Sequence, residues 1–145
     1  MKKILIINGP NLNLLGKRED EIYGKETLDE IKKKCEDKGG QINIKIDFFQ
    51  SNNEGEIIDK LHSIEKSYDG LIINPAAFTH SSIAILDSLR SIKKPKIEIH
   101  LSNIYAREEY RKKSITSEGV HGLICGFGGN SYLLGIEAIC KLIYK

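Results

Sequence analysis

Met1-Lys2-Lys3-Ile4-Leu5-Ile6-Ile7-Asn8-Gly9-Pro10 carries an unbroken apolar row from Ile4 to Ile7, stopped by three turn formers. A short run without polar alternation, bounded in this way, is the pattern of a strand buried on both faces. Such strands occur in parallel sheets sheathed by helices. The two lysines give the row the look of a secretion signal, but it is too short for a signal's apolar core. Leu71-Ile72-Ile73 repeats the pattern and runs into Asn74-Pro75.

Working outward from these rows, helices and strands alternate. Thr27-Leu28-Asp29-Glu30 has capping-box spacing and predicts a helix that Gly39-Gly40 closes, with Lys32 to Lys34 on a solvated face. Ile42, Ile44, Ile46 and Phe48 alternate with Asn43, Lys45 and Asp47, which predicts a second strand with one wetter face, near an edge. A helix is expected from Glu56 to Ser67, where Ile57, Ile58, Leu61 and Ile64 recur at helical spacing. A further helix is placed at Ser82 to Ser91, and then the strand Ile97-Glu98-Ile99-His100-Leu101, in which apolar and ionisable residues alternate. A short helix near Glu108 to Lys112, a fifth strand from Gly122 to Cys125 and a helix from Tyr132 to Leu142 complete the reading.

This alternation predicts an α/β fold, an open five-stranded parallel sheet with helices on both faces, joined by right-handed crossovers in a flavodoxin-like order. Ligands of such sheets bind beyond the carboxyl ends of the strands, at the switch point between the first and third. The 145 residues fit a single domain, 1–145, able to bury roughly two-thirds of its unfolded surface. At 40% hydrophobic and 29% charged residues the chain is ordinary for a globular protein, and its net charge of +2 provides no broad basic field for nucleic acid or anionic lipid. Cys35, Cys125 and Cys140 form no CxxC, which suits unpaired thiols in a reducing compartment, the cytoplasm. No stretch is long enough to cross a membrane.

The predicted crevice loops are Asn8-Gly9-Pro10-Asn11 and Asn74-Pro75-Ala76-Ala77, which take two of the three prolines, and the segment after Leu101. Nucleotide motifs fail there on spacing. Gly9 and Gly16 are too far apart for a P-loop, and Gly126-Phe127-Gly128-Gly129 lacks the third glycine and the ribose-binding acid of a dinucleotide site. Gly126, Gly128 and Gly129 read instead as close approaches of backbone. His62, His80, His100 and His121 show no metal-ligand spacing, and no metal is expected. Glu98 and His100 stand apart from the other ionisable residues. Two apart on one strand, they point to the same side, so the carboxylate is able to support a protonated imidazole for acid-base work. Only Arg18, Arg90, Arg107 and Arg111 are arginines in a chain that otherwise uses lysine. Arg90 reads as surface charge, while Arg107 and Arg111 follow the fourth strand. Arg18 lies five residues before Tyr23 inside a loop bounded by Gly16 and Gly24, a candidate lid in which a guanidinium favours a phenolate.

Several long segments now stand in register: Asn8 to Arg18 through Tyr23-Gly24, Ser51 to Gly55, Asn74 to His80, Glu98 to Asn103, Ala106 to Arg111 and Cys125 to Gly128. In order and spacing they resemble the type II 3-dehydroquinate dehydratases, over nearly the whole chain. Asp20, Phe78 and Tyr105 stand where that family usually has proline, tyrosine and histidine. The resemblance implies a cofactor-free anti elimination of water from 3-dehydroquinate, giving 3-dehydroshikimate through an enolate. Tyr23 then resembles the base, with Arg18 promoting its ionisation, and Asn11 the holder of a water against the enolate oxygen. His100 backed by Glu98 resembles the acid. Asn74 with the amides of Leu101 and Ser102 looks like the carboxylate site, and His80 and Arg111 like the binders of ring hydroxyls. The family further implies a homododecamer, a tetramer of trimers, in which Asp87 reaches a neighbour's site. A Schiff base on Lys17 or Lys25 is the rival mechanism. A phospho-receiver or flavin module is the non-enzymatic alternative, against which stand Asn74 in place of an acceptor aspartate and a first loop poor in Ser and Thr.

Overall fold

The computed structural model describes residues 1–17 and 19–145. Its five strands are β1 (Lys2–Asn8), β2 (Ile44–Gln50), β3 (Gly70–Asn74), β4 (Lys96–His100) and β5 (Gly122–Cys125). All pair in parallel, in the order β2-β1-β3-β4-β5, so the reversal of direction falls between β1 and β3 as expected. The helices are α1 (Asp20–Tyr23), α2 (Leu28–Gln41), α3 (Glu54–Leu61), α4 (Ile64–Ser67), α5 (Ile83–Ser91), α6 (Glu109–Lys112) and α7 (Asn130–Ile143).

Strand parity divides the core into two layers. Ile4 and Ile6 of β1 join Ile72, Ile97 and Ile99 against Ile31 and Cys35 of α2 and Tyr132, Ile136 and Ile139 of α7. Leu5 and Ile7 join Leu71 and Ile73 against α3, α4 and α5, through Ile57, Leu61, Ile64, Ile85 and Leu89. Every residue from Ile4 to Asn8 is buried, and so is every residue of β3, because each strand face meets a helix. β2 is an edge strand, with Lys45 exposed between buried Ile44 and Ile46.

Three boundaries differ from the sequence reading. Gly39-Gly40 does not end the second helix, which continues to Gln41. Gly39 is there for packing: a Cβ would stand 2.6 Å from the Ile44 carbonyl oxygen and 2.7 Å from Ile46 Cγ1, so a bare backbone lets α2 lie against β2. The turn falls at Asn43, in the left-handed region at φ 59°, and β2 accordingly begins at Ile44 rather than Ile42. The helix placed at Glu56 to Ser67 starts earlier, on the Asn53 side chain, which accepts from the Glu56 amide. It then breaks at His62-Ser63, where the Ser63 hydroxyl donates to the Lys60 carbonyl.

β4 also differs in kind. Alternating apolar and ionisable residues usually mark a half-wet strand, yet Lys96 to His100 are all buried. Ile97 and Ile99 face α7, and the ionisable row faces α5 and the 3₁₀ turn Thr116–Gly119. Lys96 Nζ donates to the carbonyls of Leu89 (2.9 Å) and Ile92 (2.5 Å), closing the C-terminal end of α5. Burial lowers the Lys96 pKa from the ordinary lysine value.

Candidate active site

The carboxyl ends of β1, β3 and β4 open on a crevice of about 160 Å³. That is below the roughly 300–1,000 Å³ of sites for drug-sized ligands, room for one small ring and too little for a dinucleotide. It is lined by Asn11, Asn74, His80, His100, Leu101, Ser102 and Arg111 of the expected set, together with Tyr23 from above. Arg18 lies outside the described residues. Asp87 sits on the exposed face of α5 and is not among the residues lining its own chain's crevice. Cys35 is buried, and desolvation pushes its thiol up to about 12, far from a reactive thiolate.

The crevice loops are braced by backbone contacts. Gly9 N–H donates to the Asn74 carbonyl at 2.8 Å, and a Cβ at Gly9 would fall 2.4 Å from the Pro75 oxygen, so only glycine lets the two loops meet. Asn11 adopts the left-handed region at φ 68° and opens the 3₁₀ turn Leu12–Leu14. Its amide donates to Asn52 Oδ1 (2.9 Å), which also accepts from Gln50 Nε2 (3.1 Å). The stretch around Asn52 thus holds the first loop from the side of β2.

At the sheet end of the crevice, His100 Nε2 lies 2.8 Å from Glu98 Oε2. A carboxylate oxygen accepts, so the Nε2 hydrogen is spent on Glu98 and Nδ1 is the nitrogen left for a ligand. Glu98 is fully buried. Ser114 Oγ donates to its Oε2 at 2.7 Å and Thr116 Oγ1 to its Oε1 at 2.5 Å. Neither hydroxyl was foreseen, since both lie after the short helix that follows β4, and no spacing rule ties residues 114 and 116 to a strand carboxylate. Removing a donor to a buried charged group costs about 1.5–3 kcal/mol. Thr116→Val, which keeps the shape, is therefore expected to lose that much folding stability in urea titrations and to lower turnover as His100 loses its fixed partner.

His80 Nδ1 lies 2.8 Å from the Lys113 carbonyl, which can only accept, so Nδ1 carries the hydrogen and Nε2 is left for the crevice. Arg111 Nε donates to Glu108 Oε2 at 2.8 Å, and the Tyr110 hydroxyl reaches the same oxygen at 2.5 Å. The Tyr110 bond first, then Arg111, holds the Glu108 carboxyl down to about 2, so this pairing persists from neutral pH down to strongly acidic conditions.

The covering loop runs from Gly16 to Gly24, both in the left-handed region at φ 82° and 87°. A Cβ at Gly16 would stand 2.7 Å from the Lys25 carbonyl, so Gly16 lies directly on the backbone just past Gly24. Tyr23 closes α1, one residue before Gly24. Its hydroxyl accepts from Arg107 Nη1 at 2.9 Å. Arg107 was legible only as one of two arginines after the fourth strand. The structure sets its guanidinium against the phenol oxygen, while the part that the resemblance gave to Arg18 falls on a residue outside those described.

Fold and crevice together define the class: a parallel α/β protein whose crevice at the strand ends is lined by a buried histidine paired with a carboxylate and by an arginine-backed tyrosine. Comparison with known proteins makes this specific. The family model described as dehydroquinase class II matches residues 2–140. A 3-dehydroquinate dehydratase of Clostridium botulinum (strain Hall) is 59% identical over 145 residues, covering 100% of this chain and 99% of that protein. One from Clostridium acetobutylicum is 50% identical over 143 residues, 99% of each. The crystal structure of the type II dehydroquinase from Butyrivibrio crossotus superposes with a TM-score of 0.93 at 43% identity, covering 96% of this chain and 97% of that one. This chain belongs to the class II dehydroquinase family.

Proposed function

We propose that the protein is a type II 3-dehydroquinate dehydratase, a hydro-lyase that converts 3-dehydroquinate to 3-dehydroshikimate in the shikimate route to chorismate and the aromatic amino acids. The observation that carries this reading is that Tyr23, held by Arg107, and His100, backed by Glu98, both line one small crevice. The proton at C2 is acidified by the adjacent ketone, and the C1 hydroxyl leaves poorly unless protonated, so the reaction needs one base and one acid. Tyr23 takes the C2 proton to give an enolate. His100 Nδ1 delivers a proton to the departing hydroxyl, which leaves as water on the opposite face. Asn11 holds a water against the enolate oxygen, Asn74 and the Leu101 and Ser102 amides receive the carboxylate, and His80 Nε2 and Arg111 engage ring hydroxyls.

No lysine lines the crevice among the described residues, which argues against a Schiff base on Lys17 or Lys25. The test is direct. Adding 3-dehydroquinate produces a conjugated product, and ultraviolet absorbance rises with time if the assignment holds. Irreversible inactivation by borohydride plus substrate, with labelling of either lysine, overturns the tyrosine-base mechanism while leaving the net reaction intact.

The working form is proposed to be a single catalytic domain assembled as a homododecamer in the cytoplasm, with Asp87 supplied to a neighbouring crevice. Its exposed position on α5 is compatible with that, and light scattering reads the mass. No helix among the described residues is long and apolar enough to cross a membrane.

A further inference from the structure

Asn74, at the floor of the crevice, is gripped from behind by a directed chain of hydrogen bonds. In the parallel register Asn8 of β1 stands beside Asn74 of β3. Each lies two residues beyond an isoleucine of the α7 layer, Ile6 and Ile72, so both side chains turn toward α7. There the first turn of α7 presents Tyr132, fully buried and packed on Phe48 with ring centroids 6.1 Å apart.

The Asn8 Nδ2 group donates to the Phe49 carbonyl at 3.0 Å. The Tyr132 hydroxyl donates to Asn8 Oδ1 at 2.6 Å, and Asn74 Nδ2 donates to the Tyr132 oxygen at 3.2 Å. The Ala76 amide then donates to Asn74 Oδ1 at 3.1 Å. A backbone carbonyl only accepts and a backbone N–H only donates, so both ends of the chain have fixed polarity and every link between them is forced into one sense. Turning over the Asn74 amide would set N–H against the Ala76 N–H and leave the Tyr132 oxygen without its donor. Burial raises the Tyr132 pKa far above that of an exposed phenol, so the link persists through the working pH range.

We propose that Tyr132 is a positioning residue: its hydroxyl fixes the amide of Asn74 so that the second Nδ2 hydrogen points into the crevice as a ready-made donor for an anionic oxygen of the substrate. This rests on the dehydratase reading above. Without the hydroxyl, one of the two bonds that orient the amide is lost and only the Ala76 N–H still holds it, so Nδ2 is less firmly aimed and the donor to the carboxylate is weakened.

The measurement is steady-state kinetics of Tyr132→Phe on 3-dehydroquinate. KM is expected to rise on the order of tenfold, the scale of a hydrogen bond to a charged group, with kcat within about threefold of wild type, because the contact is made equally in ground and transition states. A role confined to packing would lower the amount of active enzyme, and hence kcat, at constant KM. Asn8→Ala removes the acceptor that orients the hydroxyl and serves as the second variant, sufficient alone if Tyr132→Phe fails to fold. Its KM is also expected to rise, and the double variant should match Tyr132→Phe rather than multiply the two effects. An unchanged KM in whichever variant folds, or strictly multiplicative effects in the pair, overturns the inference. A wild-type protein that does not dehydrate 3-dehydroquinate overturns the functional reading instead, so the two failures are distinguishable.

Discussion

His100→Ala is expected to lower kcat on 3-dehydroquinate by on the order of 10²–10⁴-fold while KM changes by no more than a few-fold. The reason lies in timing. A hydroxyl needs a proton only as its bond to carbon breaks, so an acid aimed at it acts in the transition state and adds little to ground-state binding. The geometry is compatible with that role: Nε2 is tied to Glu98 at 2.8 Å, and Glu98 is itself held by Ser114 and Thr116, so Nδ1 is the ring nitrogen left for the crevice. Initial rates by ultraviolet absorbance over a range of substrate concentrations are enough to decide. Unchanged turnover with a raised KM would convert His100 from an acid to a binding group.

A second pair of variants separates the base from its activator. Tyr23→Phe keeps the ring but has no proton acceptor, and turnover is expected to vanish at every pH. Arg107→Gln keeps the phenol and removes the cation 2.9 Å from its oxygen. The arginine variant is expected to lower kcat at pH 7 by on the order of tenfold or more, because the phenol oxygen loses a charge-assisted hydrogen bond that fixes its position over the crevice. Initial rates by ultraviolet absorbance read the loss. A kcat equal to that of wild type would mean that the guanidinium takes no part in placing the base. The same measurement on Arg18→Gln shows whether two cations share the task.

The parts of this molecule that were readable in sequence are those whose cause is local. Ile4 to Ile7 and Leu71 to Ile73 announce buried strands because nothing in them alternates, and the Asn-Gly-Pro and Asn-Pro turns announce where those strands stop. Glu98 and His100 were readable as a pair because a strand puts every second residue on one side. What escaped depends on partners distant in the chain. Gly39 looked like a helix stop because its real reason, the Ile44 carbonyl, is visible only when β2 lies beneath α2. Lys96 drew no reading from the sequence because the two carbonyls that receive it belong to the end of α5. Tyr132 read as an ordinary start to a helix because Asn8, its acceptor, is 124 residues away.

The contact between Gly16 and the Lys25 carbonyl has a consequence for how this chain can vary. The side chains proposed as acid and carboxylate site stand at or just beyond strand ends, whereas Tyr23, the proposed base, closes the short helix α1 just before Gly24. A side chain at Gly16 would press on the Lys25 carbonyl from a backbone conformation that favours glycine, so the cost of such a change falls on the segment that places Tyr23 and leaves the strand pairing as it is. Sequence drift there is thereby felt in one half of the crevice before the other.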